Sequence, residues 1–280
     1  MGTLSPPTRA HRPEPRGSYR AFAVTVTEAV SLTPRMRRIT LRAPEFTDYE
    51  PIRPDDFFAL LIPGPEGLAL PDGALVGSSP RAAAELIPAR YRPELRWYTV
   101  RSHRPEAGEI DVDIVLHGDD EASSGPGGRW AAAAGPGDVA GFVEGNGVYS
   151  PPVPAGRQLF FADETALPAL SSILASAEPS PGCPALGREA TAHIEVEHES
   201  DIQPIDTAAT VHWHVRDGRR PGLAIPRVLD GIPPDEIGYA WVCAEASLVQ
   251  ETRRFLIAEG GVAKELITFS GYWRQGEART

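Results

Sequence analysis

Arg96-Trp97-Tyr98-Thr99-Val100-Arg101 brings two guanidinium groups, two aromatic rings and a hydroxyl into six consecutive residues. On an extended chain side chains alternate, so Arg96 and Tyr98 share one face while Thr99 and Arg101 share the other. A ring beside a guanidinium can lie against a flat heterocycle while the guanidinium takes a phosphate. An amphipathic edge strand with an exposed arginine accounts for the same residues, and the segment alone does not choose. Downstream, Ile110, Val112, Ile114 and Leu116 alternate with Asp111, Asp113, Val115 and His117. His117-Gly118 at that strand's end can touch a ligand or form a solvated turn. Next, the glycine-rich run Ser123–Trp130 leads into Ala131–Ala134. A helix start of this kind leaves backbone N–H groups free at the positive end of the dipole, which suits a pyrophosphate. Gly-Pro-Gly is equally plain turn chemistry.

No G-x-S-x-G, H-E-x-x-H, Walker loop or G-x-G-x-x-G accompanies these segments. Hydrolase and kinase chemistry therefore lack support, and an enzyme built on this chain would take its chemistry from a cofactor. The 280 residues carry 27 basic and 38 acidic side chains, a net charge of −11. Duplex DNA and anionic membranes are themselves negative and match such a chain poorly. Lys264 is the sole lysine, so an anion site must use planar guanidinium forks. Cys183 and Cys243 sit in no metal-ligand spacing. They imply neither a disulfide framework nor zinc, and a reducing, cytoplasmic setting is the default expectation. No apolar run approaches the length of a membrane span, and residues 1–17 lack the apolar core of a secretory signal.

Two kinds of element must position these residues. Residues 1–17 read as a disordered arm. From 18 to 150, strands are expected around Phe22–Val26, Arg38–Arg42, Phe57–Ile62, Arg96–Arg101, Ile110–His117 and Val139–Val143. A short helix near Arg81–Leu86 and one at Ser123–Ala134 interrupt them, a pattern that predicts a small antiparallel β-barrel. Residues 151–157 form a Pro-rich linker. From 158 to 280, strands at Gln158–Ala162, Thr191–Val196, Thr210–Val215 and Tyr239–Cys243 alternate with apolar helices at Leu167–Ala177 and Leu223–Leu229. A last helix opens on a Ser247/Gln250 capping box. That alternation predicts an α/β domain with a parallel sheet.

In order, Arg96–Arg101 (R-x-Y-T-V-R), Asp113–Gly118 (D-x-V-L-H-G), Gly125–Ala131 (G-P-x-x-x-W-A) and Gly137-Asp138 resemble the siderophore-interacting protein family. Those proteins are FAD-dependent ferric-siderophore reductases of the ferredoxin–NADP reductase superfamily. Asp163–Ala169, Trp241–Ser247 and Gly271–Gly276 match the family's later motifs, so the resemblance runs over about residues 18–276. It implies an FAD-binding barrel followed by a ferredoxin-reductase-like, nucleotide-binding-like domain. Arg96, Trp97, Tyr98, Thr99, Val100 and Arg101 would then meet the flavin, with Asp113, Val115, Leu116, His117 and Gly118 alongside. Gly127, Gly128 and Trp130 would take the pyrophosphate, and Asp163, Thr165 and Ala166 would approach from the second domain. Arg53, Tyr272, Trp273 and Arg274 are expected on the siderophore side. The chain departs from the family pattern at Gly127-Gly128, where Ala-Ser is usual, and at Ala162 and Ala244, which replace glycines where a nicotinamide dinucleotide would approach the backbone.

The implied chemistry needs no protein acid or base. A flavin accepts two electrons as hydride and releases them singly, and Fe(II) binds oxygen-rich chelators more weakly than Fe(III), so reduction frees the metal. Arg53, Arg101 and Arg274 would attract an anionic ferric chelate locally despite the net charge. NAD(P)H is the expected donor, with reduced ferredoxin as the other. The acidic run Glu195, Glu197, Glu199 disfavours a 2′-phosphate and so leans to NADH. A non-catalytic flavin or siderophore carrier, and a flavin reductase serving a partner, are the alternatives. A monomer without nucleic-acid or membrane partners is expected.

Overall fold

A computed structural model describes residues 14–71, 80–116, 125–152, 156–176, 190–222 and 237–275. His117, Gly118, Cys183, the helix expected at 223–229 and the first 13 residues of the arm lie outside them. The chain divides into two compact units, one spanning Glu14–Gly147 and one running from Val148 onward.

The first unit contains β1 (Ala21–Thr33), β2 (Met36–Arg42), β3 (Phe57–Ile62), β4 (Glu94–Thr99), β5 (Ser102–Arg104), β6 (Glu109–Val115) and β7 (Val139–Val143). They form one antiparallel sheet in the order β4-β3-β7-β1-β2-β6-β5. Its outermost strands, β4 and β5, are consecutive in the chain. Between them Val100 N–H donates to Asp56 O and Arg101 N–H to Asp111 O, each at 2.8 Å. The sheet thus curls back on itself as a barrel. Inside, Phe142 stacks on Phe58 at 4.3 Å and on Phe22 at 5.0 Å, and Phe46 meets it edge-on. Such pairs add stability beyond the area they bury.

The period-2 pattern of β6 sends Ile110, Val112 and Ile114 into this core. Asp111 and Asp113 face the other way, into an ionic ladder. Arg38 holds Asp113 with two bonds of 2.7 and 2.8 Å. Arg104 holds Asp111 likewise at 2.6 and 2.8 Å, with Ser102 and Thr40 adding hydroxyl bonds. Burial alone would raise the Asp111 carboxyl, but these bonds outweigh it and bring it to about 2. The described end of the arm is not loose. Arg16 pairs with the buried Asp56 at 2.7 Å and donates from Nε to Gly145 O at 2.9 Å, which corrects the disordered-arm expectation for residues 14–17.

The second unit holds a parallel five-stranded sheet of β8 (Arg157–Asp163), β9 (Ala190–Val196), β10 (Thr210–Val215), β11 (Ile237–Glu245) and β12 (Ile267–Trp273). The order is β10-β9-β8-β11-β12. The helices of the chain are α1 (Pro80–Glu85), α2 (Pro126–Ala133), α3 (Leu167–Ala175) and α4 (Ala246–Ala258). None among the described residues is long and apolar enough to cross a membrane. The edge strand β12 was not expected from its sequence, because Gly271 and exposed Phe269 blur its alternation. The cap of α4 also differs from the expected box. Glu245, not Ser247, is the N-cap, and its carboxylate accepts the N–H groups of Ser247 and Leu248.

On one face of the sheet, His193 of β9 stacks between Phe161 of β8 at 5.4 Å and His212 of β10 at 4.8 Å. Its Nδ1 lies 3.1 Å from Nε2 of His214. Burial, then the neighbouring His214 and His212, lower the His193 pKa from 6.5 to about 3. The unfolded chain therefore binds a proton that the folded chain refuses, so stability is full above pH 6.5 and declines from there toward pH 3. Unfolding free energy should fall by about 2 kcal/mol between pH 7 and pH 5 from this group. Denaturant melts of His193→Phe should show a flatter slope over that range, and an unchanged slope would exclude His193 as its source.

Candidate cofactor site

The barrel strand β4 and the start of α2 carry the site. Tyr98 packs its ring against the barrel core and brings its hydroxyl to the first turn of α2. A Cβ added at Gly127 would lie 2.0 Å from Tyr98 Oη and 3.4 Å from Arg96 Cγ. Glycine at 127 is therefore what lets the ring, the arginine stem and the helix start meet. Burial raises the Tyr98 hydroxyl well above its ordinary pKa, so it stays protonated.

The start of α2 is open to an anion. Gly125 is its N-cap in an extended conformation with no side-chain cap, and Pro126 occupies the first turn. At the other end Arg37 of β2 donates to Ala131 O at 2.7 Å and to Ala132 O, covering the negative pole. The N–H groups of Gly127 and Gly128 thus stand at the uncapped positive end. Arg96 runs alongside. Its guanidinium donates to Leu95 O at 2.7 Å and pairs at 3.2 Å with Glu94, whose side chain is 60% exposed. Such an exposed pair is weak, so the guanidinium can be redirected to a phosphate at little cost. The flat ring, the guanidinium and the uncapped glycine turn fit FAD: Arg96 with Gly127 and Gly128 suits its diphosphate and Tyr98 its ring system.

The other expected contacts divide. Trp97 faces away from Tyr98, edge-on to Phe57 at 5.4 Å in a separate apolar cluster. Val100 is buried in the barrel core, and Leu116 and Trp130 pack against it. Thr99 is buried and Val115 half-buried on β6. Arg38 occupies both oxygens of Asp113, and Arg101 lies 3.8 Å away. Arg53 lays its stem on Gly147, where an added Cβ would lie 2.3 Å from Arg53 Cβ.

In the second unit Asp163, Thr165 and Ala166 hydrogen-bond with one another. Asp163 is 0% exposed. Its Oδ1 accepts from Thr165 N and Oγ1 and from Ala166 N, and its Oδ2 from Glu245 N at 2.8 Å and Trp273 Nε1 at 2.7 Å. The carboxylate ties the ends of β8, β11 and β12 together and presents no free oxygen. Trp273 is accordingly pinned through its indole, beside half-buried Tyr272 and exposed Arg274. Ala162 and Ala244 are buried strand residues. Sequence reasoning missed Arg37 and Glu245. Arg37 reaches α2 from 94 residues away and leaves no local trace, whereas a carboxylate three residues before Leu248 is a legible cap. Among the described residues no group of three or more His, Cys, Asp or Glu is arranged to hold a metal ion.

Residues 25–149 match the family described as siderophore-interacting FAD-binding domain, and residues 155–276 the one described as siderophore-interacting protein. An uncharacterized protein of Mycobacterium tuberculosis is 32% identical over 91% of this chain and 90% of its own length. The ferric vibriobactin reductase ViuB of Vibrio cholerae is 29% identical over 70% of each chain. The crystal structure of a siderophore utilization protein from T. fusca superposes with a TM-score of 0.75 at 28% identity, covering 95% of this chain and 98% of that one.

Proposed function

The chain belongs to the siderophore-interacting protein family, and from that premise we propose that it is an FAD-dependent oxidoreductase that reduces ferric siderophores and so releases their iron as Fe(II). The observation that carries the reading is the uncapped glycine start of α2 set against Tyr98 and Arg96. FAD, when bound, supplies two-electron uptake and one-electron delivery, which matches a hydride or other donor to Fe(III). The chain's own residues do the holding. Arg96 and the N–H groups of Gly127 and Gly128 bind the diphosphate by charge-assisted bonds. Tyr98, held protonated and packed, gives the ring system a fixed wall and keeps water from that side. Arg53, Tyr272 and Arg274 are the proposed siderophore-facing groups, and guanidinium charge raises the local concentration of an anionic chelate. Trp273 serves from behind, as a pinned support for its neighbours. The homology to a named ferric vibriobactin reductase supports this reading over a carrier without turnover.

Purified protein should be yellow and carry FAD. Reduced with dithionite under anaerobiosis, it should return to the oxidised spectrum on adding a ferric tris-catecholate, with Fe(II) captured by a ferrous chelator. A reduced protein that is not reoxidised by the chelate would defeat the proposal. The proposed donor is NAD(P)H, with reduced ferredoxin as the other.

A further inference from the structure

We infer that Arg37 is a positioning residue for FAD: from β2 its guanidinium holds the carboxyl end of α2 and so keeps the glycine start of that helix wound for the diphosphate. The inference rests on the FAD reading above and deepens it.

Left to itself α2 is a poor helix. It runs for eight residues, Pro126–Ala133, two of its first three residues are glycines, and its N-cap Gly125 has no side chain to cap it. Isolated helices shorter than about 12–15 residues are marginal in water. Glycine weakens a helix further, because it gives up the most backbone freedom. The Gly127 and Gly128 N–H groups converge on a diphosphate only while this turn is wound. Contacts from outside the helix must therefore hold it.

The carboxyl end shows how. An α-helix would satisfy Ala131 O and Ala132 O from the N–H groups of residues 135 and 136. Gly135 N–H goes instead to Asp138 Oδ2 at 2.9 Å, and Pro136 has no N–H to give. Those are the two carbonyls that Arg37 takes, with its Nη1 donating to Ala131 O at 2.7 Å and to Ala132 O. Its cation also stands at the negative pole of the helix, where it stabilises the wound form. Ala131 and Ala134 are buried in the barrel core beneath this clamp, with Trp130 packed against it.

The strand's period of two places Arg37 for the task. It shares its face of β2 with Ile39 and Leu41, which lie in the barrel core, and it pairs in register with Ile114. Arg38 and Thr40, of the opposite parity, face the ionic ladder. A guanidinium on the core-facing side needs acceptors, and the end of α2 supplies two. Arg37 and FAD thus bias the same equilibrium, between wound and unwound α2, from opposite ends of the helix. Without Arg37 the wound fraction falls, and the apparent affinity for FAD falls by the same factor.

FAD titration of stripped protein, paired with amide hydrogen exchange over residues 125–134, tests this. Arg37→Ala should weaken FAD by about tenfold and speed exchange in α2, while the rest of the barrel exchanges at the wild-type rate. Saturating FAD should restore protection in α2, because linkage runs both ways. Arg37→Lys keeps a cation at the carbonyls and should recover part of both losses. Arg37→Met keeps a long stem without the charge, should recover neither, and covers the case in which the alanine variant does not fold. A folded alanine or methionine variant with wild-type FAD affinity overturns the inference. So does weakened FAD binding with unaltered exchange in α2, which would place Arg37 on the cofactor itself, and so does a lysine variant no better than methionine. Wild-type protein that takes up no FAD marks a failure of the cofactor reading instead.

Discussion

Arg96→Ala should yield a folded barrel whose FAD affinity is weaker by about tenfold to a hundredfold, the loss expected for one charge-assisted contact to a phosphate. The fold has little stake in this side chain. Its bonds go to the neighbouring carbonyl of Leu95 and to exposed Glu94, and a surface pair of that kind is worth about 0–1 kcal/mol. The site has a large stake, because Arg96 is the guanidinium whose stem runs along the glycine start of α2. Tyr98 separates ring from hydroxyl. Tyr98→Phe keeps the wall and should keep FAD, whereas Tyr98→Ala removes it and should lose FAD to a similar degree as Arg96→Ala. Flavin absorbance per protein after purification, followed by FAD titration of stripped protein, reads each change. Full flavin content in both Arg96→Ala and Tyr98→Ala would mean that the cofactor is held elsewhere.

The alternation of Ile110, Val112 and Ile114 against Asp111 and Asp113 told which face of β6 enters the core, since a strand has only two faces. The strand–helix order after Gln158 likewise told of a parallel sheet. The closure of the sheet where β4 passes into β5 was not legible, because it depends on bonds from Val100 to Asp56 and from Arg101 to Asp111. At the site, the R-x-Y spacing and the Gly-Pro-Gly-Gly turn were legible as local patterns. Their meeting at Gly127 was not, since 29 residues separate it from Tyr98. Asp113 shows the same limit. Its position beside a ligand-like motif is local, but its partner Arg38 is 75 residues away.

Asp163 too is held by distant partners, and its removal is expected to have a large effect on stability. A carboxylate that follows a strand and precedes a helix reads as a ligand contact, yet here five donors from three separated stretches of chain converge on it in a site with 0% exposure. Asp163→Ala would remove the side-chain acceptor of the Thr165 and Glu245 N–H groups and of the Trp273 indole, while Ala166 N–H keeps the backbone carbonyl of residue 163 at 3.1 Å. Orphaned buried donors cost about 1–3 kcal/mol each, and a lost buried charge network about 3–5 kcal/mol in all. That is a large share of a domain's typical total of about 5–15 kcal/mol. Asp163→Asn should cost less, since its amide oxygen can still serve one side while its NH₂ group faces donors on the other. Thr165→Val removes a single hydroxyl bond and should cost about 1 kcal/mol. Denaturant melts of the three variants should therefore rank Asp163→Ala, Asp163→Asn, Thr165→Val in decreasing loss. A different result is equally informative: if Asp163→Asn melts like wild type but sheds its flavin, the carboxylate touches the cofactor and the internal network is incidental.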